Sequence, residues 1–129
     1  MDRLLVVDDE VEIVKILDKF LTKVGFDVIA TSEGDQAIRM LIEDKALNMI
    51  ILDMKMPRVK GIDILKKMTE LNIKLPVIIL TGSFDEEKYL SDLRELGYNH
   101  DDILLKPIDL NVLLDMVNKK LGKGVQRRI

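Results

Sequence analysis

Three carboxylates and a lysine each stand at the end of a short apolar run. Asp8 and Asp9 follow Leu4-Leu5-Val6-Val7, Asp53 follows Met49-Ile50-Ile51-Leu52, and Lys106 follows Ile103-Leu104-Leu105, with Pro107 next. A fourth run, Val77-Ile78-Ile79-Leu80, ends on Thr81. If these runs are parallel strands of one sheet, all five side chains meet at its carboxyl edge. Carboxylates gathered there repel one another at low dielectric, so the cluster makes sense as the holder of a divalent cation. Mg²⁺ keeps several waters and takes one or two protein carboxylates plus phosphate oxygens, which suits three acids with incomplete coordination better than Ca²⁺. A carboxylate at a strand end, screened by such a cation, can act as a nucleophile toward a phosphoryl group, and Asp53 is the candidate. Taken singly, any of these aspartates reads as a solvated cap; four strand ends together read as a site.

The elements that must position these groups are legible in the same sequence. Short β-branched runs alternate with longer amphipathic segments, the pattern of a doubly wound α/β fold with a parallel sheet. Strands are predicted near 3–7, 27–30, 49–53, 77–80 and 102–105, and helices near 10–23, 34–44, 61–71, 85–96 and 109–120. In the last helix Leu110, Leu113, Leu114, Val117 and Leu121 recur at helical spacing behind Asp109, a predicted N-cap. Gly25, Gly34 and Gly97 fall at predicted helix ends or turns. In the first helix Val11, Val14, Leu17, Leu21 and Val24 are expected to face the sheet, with Ile13, Ile16 and Phe20 widening the stripe.

Composition narrows the class. At 129 residues the chain fits one domain, expected as residues 1–121 with a basic tail at 122–129, and leaves nothing for an output domain. The net charge of −3 argues against direct nucleic-acid binding. The absence of cysteine excludes disulfides and thiolate metal sites. No run approaches the length of a membrane span, and Met1-Asp2-Arg3 leads straight into a strand, so a cytoplasmic protein is expected.

The chain resembles the receiver domain of bacterial two-component response regulators. The resemblance is carried by Leu5-Val6-Val7-Asp8-Asp9-Glu10, by Ile51-Leu52-Asp53-Met54-Lys55-Met56-Pro57 with Gly61, by Ile79-Leu80-Thr81-Gly82, and by Leu104-Leu105-Lys106-Pro107. It runs from about residue 3 to 121. It implies a flavodoxin-like five-stranded parallel sheet of order 2-1-3-4-5 flanked by five helices. It implies that Asp53 accepts a phosphoryl group from a sensor histidine kinase, a phosphotransfer protein or a small phosphodonor. By the same resemblance Asp9, Asp53 and the Lys55 backbone carbonyl bind Mg²⁺, Asp8 assists through water, Lys106 contacts the phosphoryl oxygens, and Lys106-Pro107 is cis. The phosphorylated form would signal to a downstream protein through the fourth helix, fifth strand and fifth helix, as a monomer or a phosphorylation-dependent dimer.

The chain also departs from that pattern. Ile103 stands where an aromatic switch residue is usual in the family, and the segment Tyr98-Asn99-His100-Asp101-Asp102 is about two residues longer than usual there. Tyr98 and His100 read as solvated loop residues rather than replacements. Gly82 replaces a common alanine, Lys60 a frequent acid, and Lys55 and Ser83 occupy positions that tune phosphoryl lifetime in the family. Two other classes compete. A phosphatase of the haloacid dehalogenase type needs an aspartate two residues past the nucleophile, where this chain has Lys55, so no turnover enzyme is expected. A phosphorylation-independent docking module of the same fold is the alternative.

Overall fold

The computed structural model describes residues 1–82 and 87–123. Ser83, the predicted helix start at 85, and the tail's Arg127 and Arg128 lie outside the described residues. In chain order the elements are β1 (Arg3–Val7), α1 (Val11–Lys23), β2 (Asp27–Thr31), α2 (Gly34–Glu43), β3 (Met49–Asp53), α3 (Gly61–Glu70), β4 (Val77–Thr81), α4 (Glu87–Glu95), β5 (Ile103–Leu105) and α5 (Leu110–Lys120). The five strands form one parallel sheet in the order β2-β1-β3-β4-β5, as the resemblance implied.

The strands are continuous apolar runs because the sheet is covered on both faces. Successive side chains of a strand point to opposite sides, so each strand feeds two cores. Leu5, Val7, Ile50, Leu52, Val77, Ile79 and Ile103 pack with α2, α3 and α4, whose buried contributions include Ala37, Leu41, Ile64, Leu65 and Leu93. Leu4, Val6, Met49, Ile51, Ile78, Leu80 and Leu104 pack with Leu17 and Leu21 of α1 and Leu113 and Val117 of α5.

The α1 stripe differs from its prediction. The face against the sheet runs Ile13, Leu17, Phe20 and Leu21, while Val11, Ile16 and Val24 are exposed. Leu17 and Leu21 are buried against the sheet as predicted; the apolar arc of α1 is wider than that contact, and its margin at Val11, Ile16 and Val24 stays in solvent.

The last strand is shorter than predicted. Asp102 belongs to a 3₁₀ turn, His100–Asp102, that takes up the extra loop length before β5. Asn99 Oδ1 accepts from the Asp101 N–H at 2.8 Å, and Asp102 Oδ2 accepts from the Asn99 N–H at 2.9 Å. Tyr98 corrects its reading as a solvated residue. It is partly buried against the core on the α2–α4 side, and burial pushes its phenol up. It lines a groove with Met68, Ile73, Pro76 and Leu96, at the amino end of β4. Five strand residues, about 16 Å, separate that end from Thr81, so Tyr98 does not stand in for the missing aromatic.

Glycine marks two close approaches. Gly61 opens α3 directly on the strand that ends in Asp53: a Cβ there would lie 2.5 Å from the Asp53 carbonyl oxygen. Gly34, at the predicted start of the second helix, begins α2 against Val59, with a Cβ position 2.7 Å from the Val59 Cβ.

Candidate functional site

The register brings the site together. Val7 pairs with Leu52, so Asp8 follows β1 level with Asp53 at the end of β3. Asp53 pairs with Leu80, which sets Thr81 beside it, and Thr81 pairs with Leu105, which Lys106 follows. Backbone bonds continue past the strands: Met54 N–H donates to the Leu80 carbonyl at 2.9 Å, and Lys106 N–H to the Thr81 carbonyl at 2.8 Å. The Lys106-Pro107 peptide is cis. Asp109 caps α5 as the sequence predicts, accepting from Asn111 and Val112 N–H at 2.9 and 3.2 Å.

Asp8, Asp53 and Thr81 are buried, and Asp9 is exposed at the mouth. The candidate ligand oxygens of Asp8, Asp9 and Asp53 all lie within 4.8 Å of one another. The Lys106 ammonium sits 2.8 Å from Asp8 Oδ2, 3.1 Å from Glu10 Oε1 and 3.5 Å from Asp53 Oδ1. Lys55 lies exposed on the loop after β3.

The electrostatics are those of a pocket with more acid than base. Burial pushes the Asp53 carboxyl up to about 7, helped by the charge of Asp8 and a hydrogen bond shared with Asp9, with Lys106 opposing. Asp8 is also raised by burial, against its bonds from Lys106 and the Glu10 N–H. Burial disfavours the Lys106 charge, but its bonds to Asp8 and Glu10 outweigh that and hold the ammonium above its ordinary range.

These residues fit a divalent cation. Asp8 Oδ2 is buried and receives no well-formed hydrogen bond, although the ammonium lies close enough for an ion pair. A buried carboxylate oxygen whose close partner is an ammonium shared with two other acids is under-compensated, a cost that a second cation would offset. An all-oxygen set of three carboxylates, open to solvent at Asp9, matches the ligand preference of Mg²⁺.

Glu10, to which no sequence pattern assigns a role, is a partner of Lys106 in the structure. The signal available was an acid directly after the aspartate pair. Ile103 is buried with Ile79 and Leu93 in the α2–α4 core, so the position lacking an aromatic is already packed inward.

Residues 4–118 match the family model described as the response regulator receiver domain. Response regulator SaeR of Staphylococcus epidermidis is 34% identical over 123 residues, which is 95% of this chain and 52% of that protein. The chain thus spans about half the length of the curated relatives it matches. Among solved structures, the receiver domain of Francisella response regulator 1452 superposes with a TM-score of 0.82 at 30% identity, covering 95% of this chain and 98% of that one. A response regulator receiver domain protein from Clostridium thermocellum superposes at 0.83 with 28% identity and 95% coverage of both chains.

Proposed function

This chain belongs to the response regulator receiver domain family of two-component signalling, and on that premise we propose that it is a phosphoacceptor switch that takes a phosphoryl group onto Asp53. The observation that carries the reading is the set of three carboxylates within 4.8 Å, with Asp53 buried and the Lys106 ammonium 3.5 Å from its Oδ1. Mg²⁺ held by Asp8, Asp9, Asp53 and the Lys55 carbonyl would screen the carboxylates from an incoming phosphate and orient its oxygens.

The chain's own groups do the rest. The β1–β3 register fixes Asp53 beside Asp8, which restricts the nucleophile to a narrow arc. Asp53 forms the new P–O bond while the bond from phosphorus to the donor breaks and the donor leaves with the electron pair. The product adds about two negative charges and three strong acceptors. Lys106 and the Thr81 hydroxyl are the groups positioned to meet them. Because the Lys106 backbone is bonded to the Thr81 carbonyl, a shift at one is felt at the other, and the surface of α4, β5 and α5 changes population.

The donor is a sensor histidine kinase or phosphotransfer protein, and the signal passes to a downstream protein target. Lys55 stands where a phosphatase would need its acid, so the chain catalyses only its own phosphorylation and dephosphorylation. Among the described residues no helix is long and apolar enough to cross a membrane, and the reading places the switch in the cytoplasm.

Incubation with Mg²⁺ and acetyl phosphate, followed by intact mass, tests the proposal. Wild type should gain one phosphoryl group and Asp53→Asn none. Mg²⁺ binding without any adduct in wild type would instead favour a docking module of the same fold.

A further inference from the structure

Glu10 occupies the N-cap position of α1, where a side chain would normally accept from the free N–H groups of the first turn. It makes no such bond. Its carboxylate reaches across to Lys106, 96 positions along the chain, and accepts from the ammonium at 3.1 Å, while its backbone N–H donates to Asp8 Oδ1 at 2.9 Å. Glu10 is therefore anchored through its main chain to one site carboxylate and through its side chain to the site's lysine.

The side chain of Glu10 is 59% exposed and that of Lys106 15%. Glu10 has water available and does not need the lysine for solvation, so the consequence of the pair falls on Lys106. An ammonium has three N–H groups and faces three carboxylates here. The shortest contacts are Asp8 and Glu10; Asp53, at 3.5 Å, is outside good hydrogen-bond range.

We propose that Glu10 is a positioning residue that holds Lys106 back from Asp53 and releases it when a phosphoryl group arrives, an inference that rests on the phosphoacceptor reading above. When Asp53 attacks acetyl phosphate, its oxygen bonds to phosphorus as the bond from phosphorus to the acetate oxygen breaks, and acetate departs with the electron pair. The new group offers Lys106 charge and acceptors at the place Asp53 Oδ1 now occupies. One partner must be given up. Asp8 is buried and cannot regain water, whereas Glu10 can, so Glu10 is released. Its carboxylate then faces solvent at the start of α1, next to the exposed Val11.

Initial rates of phosphorylation by acetyl phosphate at saturating Mg²⁺, read by intact mass, test this in wild type, Glu10→Gln, Lys106→Met and the double variant. Loss of an exposed ion pair should raise the Glu10→Gln rate about two- to five-fold over wild type. In the Lys106→Met background the same substitution should change nothing. A gain that persists without Lys106, as a lower KM for the anionic donor, would mean that Glu10 merely repels phosphate, and would overturn the route through the lysine. Equal rates in wild type and Glu10→Gln would overturn the inference while leaving the phosphoacceptor reading intact. Absence of any adduct in wild type would overturn both.

A second measurement holds if Lys106→Met reacts too slowly to read. The Glu10 side-chain carboxyl ¹³C resonance, identified by its loss in Glu10→Gln, should move in wild type on addition of Mg²⁺ with beryllofluoride as phosphoryl mimic. A resonance that stays fixed while beryllofluoride binds would overturn the exchange.

Discussion

Two buried carboxyls, Asp53 above all, shape the pH response of this molecule. Asp53 is raised to about 7 in the folded chain, against about 4 for an aspartate in an unfolded one. A raised acid binds more protons folded than unfolded. Its favourable contribution is therefore complete below about pH 4 and is lost as pH rises through 7. Asp8 is raised in the same sense. The cation-free protein should lose thermal stability between pH 5 and 8, and Asp53→Asn, which removes one of the repelling charges, should be more stable than wild type at pH 8. Added Mg²⁺ competes with the proton, so the rise in Tm it gives wild type should be larger at pH 8 than at pH 6. Asp53→Asn should show a smaller rise with little pH dependence. Scanning calorimetry of wild type and Asp53→Asn at pH 5, 6 and 8, with and without Mg²⁺, reads all four effects. A wild-type Tm that climbs steadily from pH 5 to 8 without cation would contradict the placement of Asp53 in a desolvated acidic pocket.

Among the elements, those with one dominant cause were legible. The strands β1, β3 and β4 each carry four consecutive apolar residues because helices cover both faces, and a run of that kind closed by Asp or Thr reads as a strand ending at a site. Where two causes compete, the sequence misleads. Asp102 looks like the start of β5 by proximity to Ile103, but its carboxylate closes the turn begun at Asn99 and pairs with Lys120. The apolar arc of α1 is broad enough to offer two stripes, and periodicity alone does not choose between them. Glu10 looked like an ordinary helix start because its partner is 96 positions away. Gly82 and Gly61 are alike as letters yet opposite in space. A Cβ on Gly82 would meet nothing within 4 Å, whereas one on Gly61 would enter the Asp53 main chain. Gly82→Ala should accordingly leave stability unchanged or raise it by about 0.4–1 kcal/mol, through loss of freedom in the unfolded chain. Gly61→Ala should cost about 1–3 kcal/mol by overpacking and slow phosphorylation by displacing Asp53. Urea denaturation of the two variants checks the pair, and equal effects would mean that the α3–β3 contact is looser than described.

At the scale of the whole molecule the two edges of the sheet have opposite characters. The amino edge is tied by ion pairs: the Arg3 guanidinium bonds Asp27 and Asp44, each at 2.7 Å, and Lys123 pairs with Asp2 while lying 5.4 Å from the Phe26 ring centre. The carboxyl edge gathers acids around one lysine that is shared among them. Beside it, α1 presents Val11 and Ile16 at 51 and 52% exposure, an apolar margin suited to a helical phosphotransfer partner. Val11→Ser with Ile16→Ser should slow transfer from such a partner at least several-fold while leaving the acetyl phosphate rate as in wild type, which separates docking from chemistry; unchanged transfer in the folded double variant would remove α1 as the contact. On the phosphoacceptor reading, the same asymmetry bounds how far phosphorylation would be felt. Lys106 is tied by its main chain to Thr81 and by its side chain to Asp8 and Glu10, and Leu105 beside it is partly exposed on the edge strand. Hydrogen exchange on addition of acetyl phosphate to the protein already saturated with Mg²⁺ should therefore change in β5 and the first turn of α5, and stay unchanged at Arg3–Val7 and Asp27–Thr31, with no further change in Asp53→Asn. A response as large in β2 as in β5 would mean that the ion pairs of the amino edge yield along with the site, and that the switch is a property of the whole sheet rather than of its β4–β5 side.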